Sequence, residues 1–443
     1  MACRARTRPE GLRKPAERTD GMSAETGAAG SILLKGRVID GVADEALEDG
    51  AVLVEGERIT YAGPLAGCPE AAPGTRVVEA GAGTIMPGFI DVHAHLTGQE
   101  DAGGFAGGKL FGDQLVGAVS EASMLLDAGF TGLRDMSLAG VYISRGVERG
   151  AIRGPRIVPG GRILGVTGGH IDLEPWLPKD ESNEHDPLSV LCDGPDECVR
   201  AVREQFRLGA RFIKICATGG VSSPLDRPDD VQFSPEEMRA IVGEAKRHHS
   251  YVTAHCTGYE GAYQALLAGV ECIEHGIALT QREIDLMAER DVPLVTTLDV
   301  SLGVARIEGL PDWMHEKAVM CAENSLRTIE MAREAGIRIA LGTDFTNSEN
   351  SPYQRNGLEF EAMVRAGMTP MESIKAGTIN AAHVMRMEDQ VGSLEAGKLA
   401  DVVVVDGDPL EDIWCLTDAD HVQLVVKGGV VEKDALPAEA PRR

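Results

Sequence analysis

A chain of 443 residues, 43% hydrophobic and 25% charged, has the balance of a globular protein and enough apolar material for a large core. Its formal net charge of -26 argues against nucleic acid or an anionic membrane surface as a partner. No apolar run approaches the roughly 20 residues of a membrane-spanning helix, and the length suggests two domains or one barrel with an appendage.

Residues 1–31 are expected to be a disordered extension, and Met22 offers an alternative start. The first 22 residues carry many arginines and prolines but no apolar segment of the kind a secretory signal needs. The nine cysteines include no CxxC pair. Cys216, Cys256 and Cys272 lie inside or at the end of apolar runs, which predicts small buried core residues and a reducing, cytoplasmic setting.

From Ile32 to about Met86 the chain consists of short β-rich runs broken by turn residues: "ILLKGRVID", "GAVLVEGERITYAG", "TRVVEAGAGTIMP". The same pattern returns in "LADVVVVDGDPL" and "HVQLVVKGGVVEK". Two distant β segments of like character are expected to pair, giving a discontinuous β-sandwich domain from residues 32–86 and 391–434, with a second domain inserted over residues 87–390.

Within that insert the order becomes strand, loop, helix, repeated. Candidate strands cover residues 88–95, 131–136, 155–161, 210–217, 251–256, 272–276, 293–298 and 337–344. Helix starts show between them. Ser234, Pro235 and Glu237 form a capping box with proline in the first turn, and Thr280 with Glu283 and Thr369 with Glu372 repeat the box. Eight strands alternating with helices predict an α/β fold, a (β/α)8 TIM barrel, whose chemistry lies on the loops at the C-terminal ends of the strands. A doubly wound open sheet is the competing topology. Loops 97–112, 166–193, 218–232, 299–313 and 345–356 are long and rich in glycine or polar residues, and all would lie on the catalytic face.

The organising stretch is "MPGFIDVHAHL", where the apolar Phe89 and Ile90 lead into Asp91, His93 and His95. Alternate residues of a strand share a face, so the two imidazoles sit about 7 Å apart along it, a spacing suited to one metal ion. Further candidates end other strands: Lys214 in "RFIKICA", His255 in "YVTAHC", His275 in "CIEHG" and Asp344 in "IALGTD". With His93 and His95 they place six candidate ligands on one rim. Taken singly, each histidine has a structural explanation, and Asp344 could simply cap its loop. Lys214 is harder to explain that way, because an ammonium between Ile213 and Ile215 on a buried strand is costly unless paired or chemically altered. A buried lysine of lowered pKa can react with carbon dioxide to a carbamate, an anionic bridge able to join two divalent ions about 3.5–4 Å apart.

The ordered set HxH, Lys, His, His, Asp resembles the amidohydrolase superfamily. The stretches "GFTGLRDM", "GPRIVPGGRILGVTGGHID", "GARFIKICATGGVSS", "QFSPEEMRAIVGEA", "IEHGIAL", "GTDF" and "VGSLEAGKLADVVVVDGDPLEDI" resemble its imidazolonepropionase-like branch, which includes Xaa-Pro dipeptidases and ochratoxin-hydrolysing amidases. The resemblance spans the chain after residue 31. It implies two divalent ions, most often Zn2+, bridged by N6-carboxylysine at Lys214, with His93, His95 and Asp344 on one ion and His255 and His275 on the other. It further implies cleavage of an amide or peptide bond next to a carboxylate-bearing group by a hydroxide shared between the ions, with Asp344 moving the proton. Homo-oligomers are common in such families.

His170, in "TGGHID", is the candidate to hydrogen-bond the oxyanion or a substrate carboxylate, because the flanking glycines let that loop approach a ligand closely. Tyr259, just after His255, is a second substrate-binding candidate. Two positions depart from the dipeptidase pattern: Thr257 stands where a tyrosine is frequent, and the loop after Asp344 has no histidine. Competing readings are hydrolysis of a cyclic amide, a lactone or a phosphotriester, and a non-catalytic scaffold. The expected partner is a small-molecule amide or dipeptide.

Overall fold

The computed structural model describes residues 30–98 and 110–436. The expected disordered extension, apart from residues 30 and 31, and most of the loop 97–112 lie outside the described residues. The two ends of the chain meet in one seven-stranded sheet, in the order Val430–Asp434, Val422–Lys427, Val402–Val405, Arg76–Pro87, Ser31–Val38, Leu47–Glu55, Arg58–Pro64. Its central seam joins N-terminal to C-terminal sequence, with Val403 opposite Met86 and Val404 opposite Ile85 in antiparallel register. Val404 on one face packs with Val52, Val54 and Val426, whereas Val403 and Val405 on the other belong to the main core of the barrel. The run "VVVV" has no polar alternation because both of its faces are covered.

The barrel begins where that sheet ends. Phe89–Ala94, Phe130–Asp135 and Arg156–Pro159 pair in parallel, and a second parallel sheet runs Ile339–Ala340, Leu294–Val295, Cys272–Ala278, Val252–Gly258, Ile213–Cys216, Ile163–Gly165, Ser189–Leu191. Two seams close the (β/α)8 barrel. Val92 N donates to Leu341 O at 3.0 Å and His95 N to Phe345 O at 3.0 Å, while Arg211 N donates to Pro159 O at 2.7 Å.

The third strand differs from its predicted extent. It breaks after Pro159 and resumes at Ile163, because a Cβ at Gly160 would meet the Phe212 ring at 2.6 Å and Gly161 takes φ +70. The seventh and eighth strands each keep only two paired residues, Leu294–Val295 and Ile339–Ala340. At the end of the eighth, Gly342 allows the close approach to strand one: a Cβ there would lie 2.6 Å from the Cβ of His93. Two of the long catalytic-face loops also carry structure of their own, the helices Lys179–His185 and Leu298–Val304.

The helix starts follow their capping residues. Ser234 and Thr369 form complete boxes with Glu237 and Glu372, each with proline in the first turn, and Glu283 accepts from the Thr280 N–H at 2.9 Å. Cys216, Cys256 and Cys272 are buried free thiols. Among the described residues no helix is long and apolar enough to cross a membrane.

One buried acid ties this scaffold to pH. Glu121, 1% exposed on the helix Phe111–Asp127, accepts from Gly98 N at 2.9 Å. Burial pushes its carboxyl up to about 8 from 4.5, against the pull of that hydrogen bond and with help from Asp135. The folded state therefore holds a proton that the unfolded state has lost, and stability declines as pH rises from about 4.5 to about 8. The contribution of this one group has a limiting slope of about 1.4 kcal/mol per pH unit. Urea unfolding between pH 5 and 8 should show Glu121→Gln losing less stability with rising pH than the unsubstituted protein; parallel curves would refute a neutral Glu121.

Candidate metal centre

Five imidazoles form a row across the C-terminal mouth of the barrel. Ring centroids are 5.4 Å apart for His95 and His93, 4.8 Å for His93 and His275, 4.5 Å for His275 and His255, and 4.5 Å for His255 and His170. The first four come from the ends of strands one, six and five; strands five and six are parallel neighbours, whereas strand one pairs with strand two and meets His275 through the ring of His93. His275 and Asp344 both take left-handed backbone, at φ 64 and 60, a conformation that costs energy for a residue with a side chain and that clusters at functional sites.

The second nitrogen of each ring decides what the first can do. His93 Nδ1 lies 2.8 Å from Oε2 of Glu274, whose other oxygen accepts from Arg134 Nη2 at 2.5 Å and from the Thr253 hydroxyl. Glu274 and Arg134 are both 0% exposed. Burial acts to raise the Glu274 carboxyl, but the Arg134 guanidinium and the His93 ring overcome it and hold it below the usual carboxylate range. An ionised carboxylate can only accept, so Nδ1 of His93 carries a proton, and Nε2 is the nitrogen turned to Asp344 and Lys214.

The same argument applies along the row. His95 Nδ1 donates to the Met136 carbonyl at 3.1 Å, which turns Nε2 towards Asp344 Oδ1 at 2.8 Å. His255 Nε2 donates to the Gly219 carbonyl at 3.0 Å, which frees Nδ1. His275 Nδ1 is engaged by the Thr297 hydroxyl at 2.8 Å. Burial and the neighbouring histidines and Lys214 push the His255 and His275 rings well below their ordinary value, towards the neutral form that binds metals.

Asp344 completes the cluster. Its Oδ1 is 2.8 Å from His95 Nε2 and 3.2 Å from His93 Nε2, and ligand atoms of these three residues lie within 4.8 Å of one another. Enclosure acts to raise its carboxyl, but His93, His95 and His275 hold it well below the usual range. Two imidazole nitrogens and a carboxylate oxygen are thus gathered into one small space, with His95 Nε2 and Asp344 Oδ1 already within hydrogen-bond distance. The donor set of nitrogen and oxygen fits a divalent ion such as Zn2+.

Lys214, 2% exposed, places Nζ 3.3 Å from His93 Nε2 and 3.4 Å from the Met136 sulfur, neither of which is an anion. His170 stacks on His255 at 26° between planes, with Nδ1 3.6 Å from Oδ2 of Asp226. Burial lowers its ring to about 4. Tyr259 is not brought into the row: it begins the helix Tyr259–Ala268 and is 48% exposed. Thr257 turns away from the mouth, bonding to the Gly219 and Pro228 carbonyls and to Thr218 at 3.0 Å.

The residues that orient the row were not singled out by motif. Glu274 and Arg134 stand in the stretches "CIEHG" and "GLRDM", and a charged residue inside an apolar strand is the signal that marks them. Asp91, 0% exposed, accepts from His93 N at 3.1 Å, the Thr343 hydroxyl at 2.7 Å and Asn356 Nδ2 at 2.9 Å, tying the His93 strand to the Asp344 loop. Burial raises its carboxyl despite these bonds.

The Arg134–Glu274 pair gives a direct test. Arg134→Met leaves a buried carboxylate without its cation and should cost about 3–5 kcal/mol in urea unfolding. Adding Glu274→Leu should recover part of that loss, since no buried charge then remains. A single-variant cost below about 1 kcal/mol would contradict an ionised Glu274.

Compared with known proteins, residues 84–431 match the model of the amidohydrolase family. Ochratoxinase of Aspergillus niger is 33% identical over 425 residues, covering 91% of this chain and 86% of its own. Imidazolonepropionase of Symbiobacterium thermophilum is 27% identical over 389 residues, covering 80% and 83%. Among solved structures, a Xaa-Pro dipeptidase with bound methionine in its active site is 31% identical, covers 91% of this chain and 99% of its own, and superposes with a TM-score of 0.82.

Proposed function

The chain belongs to the amidohydrolase family, and from that membership we propose that it hydrolyses an amide or peptide bond next to a carboxylate-bearing group. A dipeptide, an N-acyl amino acid and an ochratoxin-type amide are the substrate classes; the ochratoxinase and Xaa-Pro dipeptidase relatives support them. The observation that carries the reading is the convergence of His93, His95 and Asp344, whose ligand atoms lie within 4.8 Å of one another while Glu274 and Met136 O hold the Nδ1 side of the two rings.

In this reading His93, His95 and Asp344 hold one divalent cation, and His255 and His275 hold a second through Nδ1 and Nε2 respectively. As a carbamate, formed when its neutral amine adds carbon dioxide and releases a proton, Lys214 would supply these ions with an anionic oxygen donor in place of an ammonium. The ions, when bound, lower the pKa of a shared water and polarise the scissile carbonyl.

The protein's own groups do the rest. Asp344, with its side chain 29% exposed, reaches the open mouth, accepts a proton from the attacking water on its carboxylate and passes it to the leaving nitrogen. Without that transfer the departing amine would leave as an anion. Glu274 and Met136 O fix the ring orientations of His93 and His95, so these two positions need no reorganisation during the reaction. His170 stands beside His255 at the edge of the row, where a substrate oxygen would lie.

Metal content per chain tests the site. On protein expressed with ample bicarbonate, about two ions in the unsubstituted chain and one or none in Lys214→Ala is the expected result. One ion in both would remove the bridging role of Lys214. Asp344→Asn should lower kcat by about 10^2–10^4 on whichever N-acyl amino acid, Xaa-Pro dipeptide or ochratoxin-like amide is hydrolysed. An unchanged kcat would remove the proton-transfer role.

A further inference from the structure

The loop after the fourth strand, residues 218–232, forms one wall of the histidine row, and a lysine from a distant helix holds it there. Lys317, in the second turn of Asp312–Glu334, points its ammonium into a cradle of backbone oxygens: Ser223 O at 2.7 Å, Asp226 O at 2.5 Å and Gly220 O at 3.2 Å, with Asp226 Oδ1 at 3.4 Å. Three donors thus meet three carbonyls from one loop, the full capacity of an ammonium. The Trp313 ring covers the group from its own helix, 5.2 Å away. The Lys317 side chain is only 14% exposed, so its hydrogen bonds have little competition from water.

The clamped segment carries the contacts of His170. Asp226, its side chain 3% exposed, holds Oδ2 against the Gly220 N–H at 3.3 Å and Gln232 Nε2 at 3.0 Å, and faces His170 Nδ1 at 3.6 Å. That nitrogen is buried and has no hydrogen-bond partner. The peptide of Gly220 presses on the other side of the ring: a Cβ there would lie 2.3 Å from His170 Cε1. The imidazole is therefore caught between the Gly220 backbone and the His255 ring, centroids 4.5 Å apart.

We propose that Lys317 is a positioning residue for the reaction: it locks loop 218–232 so that Asp226 faces His170 Nδ1 and the His170 ring stays stacked on His255. Asp226 stands 3.6 Å from Nδ1, beyond hydrogen-bond distance, so it acts on the ring by its charge and by closing off space, and with the Gly220 backbone it limits where Nε2 meets the substrate. The role rests on the reading above that His170 meets the substrate. Lys317 itself touches no reacting atom, and its charge acts through the backbone oxygens it gathers. Loss of the ammonium leaves three carbonyls of a glycine-containing loop without their common donor.

The experiment compares Lys317→Met, Asp226→Asn and His170→Ala, alone and combined, in the metal-loaded full chain. On a hydrolysed amide, Lys317→Met and Asp226→Asn should each lower kcat about tenfold or more, and neither should lower it further when added to His170→Ala. Hydrogen exchange over residues 218–232 should quicken in Lys317→Met and stay protected in Asp226→Asn. Effects that multiply with that of His170→Ala, or full activity in Lys317→Met, overturn the proposal. If no amide is turned over, the hydrolytic reading fails by itself, and the His170 imidazole carbon–proton NMR signal, assigned by its loss in His170→Ala, then decides. A shifted signal in both other variants supports the positioning role, and an unmoved one overturns it. Lys317→Arg, which keeps the charge but is too broad for the cradle, replaces Lys317→Met if that variant does not fold, with the same outcomes read.

Discussion

Glu274 carries a negative charge at zero exposure, and much of the site's geometry depends on keeping that charge satisfied. Arg134, equally buried, neutralises one oxygen and also donates from Nε to the Val92 carbonyl at 2.5 Å, which links the pair to strand one. The other oxygen holds His93. Such an ion pair contributes little net stability, because desolvation offsets most of the attraction. What it supplies is direction: the buried charge makes one tautomer and one orientation of His93 far better than the others.

A second constraint works across the barrel seam. Strand eight has only two paired residues, too few to define its end by ladder hydrogen bonds alone. Asp91 replaces them by gathering the Thr343 N–H at 3.2 Å, the Thr343 hydroxyl and Asn356, so that the turn at Asp344 is held from strand one. Gly342 permits the approach by having no Cβ. The left-handed backbone at Asp344 is thus imposed by contacts on both sides, as strain at a functional position requires.

The catalytic face divides into a stiff half and a clamped half. His93, His95 and Asp344 are fixed by buried carboxylates and short-range backbone bonds, with groups that cannot move without breaking the barrel. His170 and the Gly219 carbonyl that orients His255 lie on long loops, where order comes from the Lys317 cradle and from glycines that let the backbone close over a ring. Specificity in such a barrel resides in the loops, and here the placement of loop 218–232 depends on one ammonium.

The sequence by itself determined the alternation of strands and helices, the helix starts at Ser234, Thr280 and Thr369, and the positions of six ionisable residues at strand ends. Those features are local: apolar periodicity, capping chemistry and a residue's place at the end of its own run. It also showed that Lys214 was anomalous, since a charge between two isoleucines is visible without a fold. Only the tertiary structure decided the break in strand three, which arises from Phe212 pressing on Gly160, and the exposure of Tyr259, which follows from the helix that starts there. Only it decided which ring nitrogen faces the mouth, because that depends on Glu274, Met136, Gly219 and Thr297, which lie far from their histidines in sequence. The tautomer of a histidine is set by its partner across space, and no spacing along the chain encodes it.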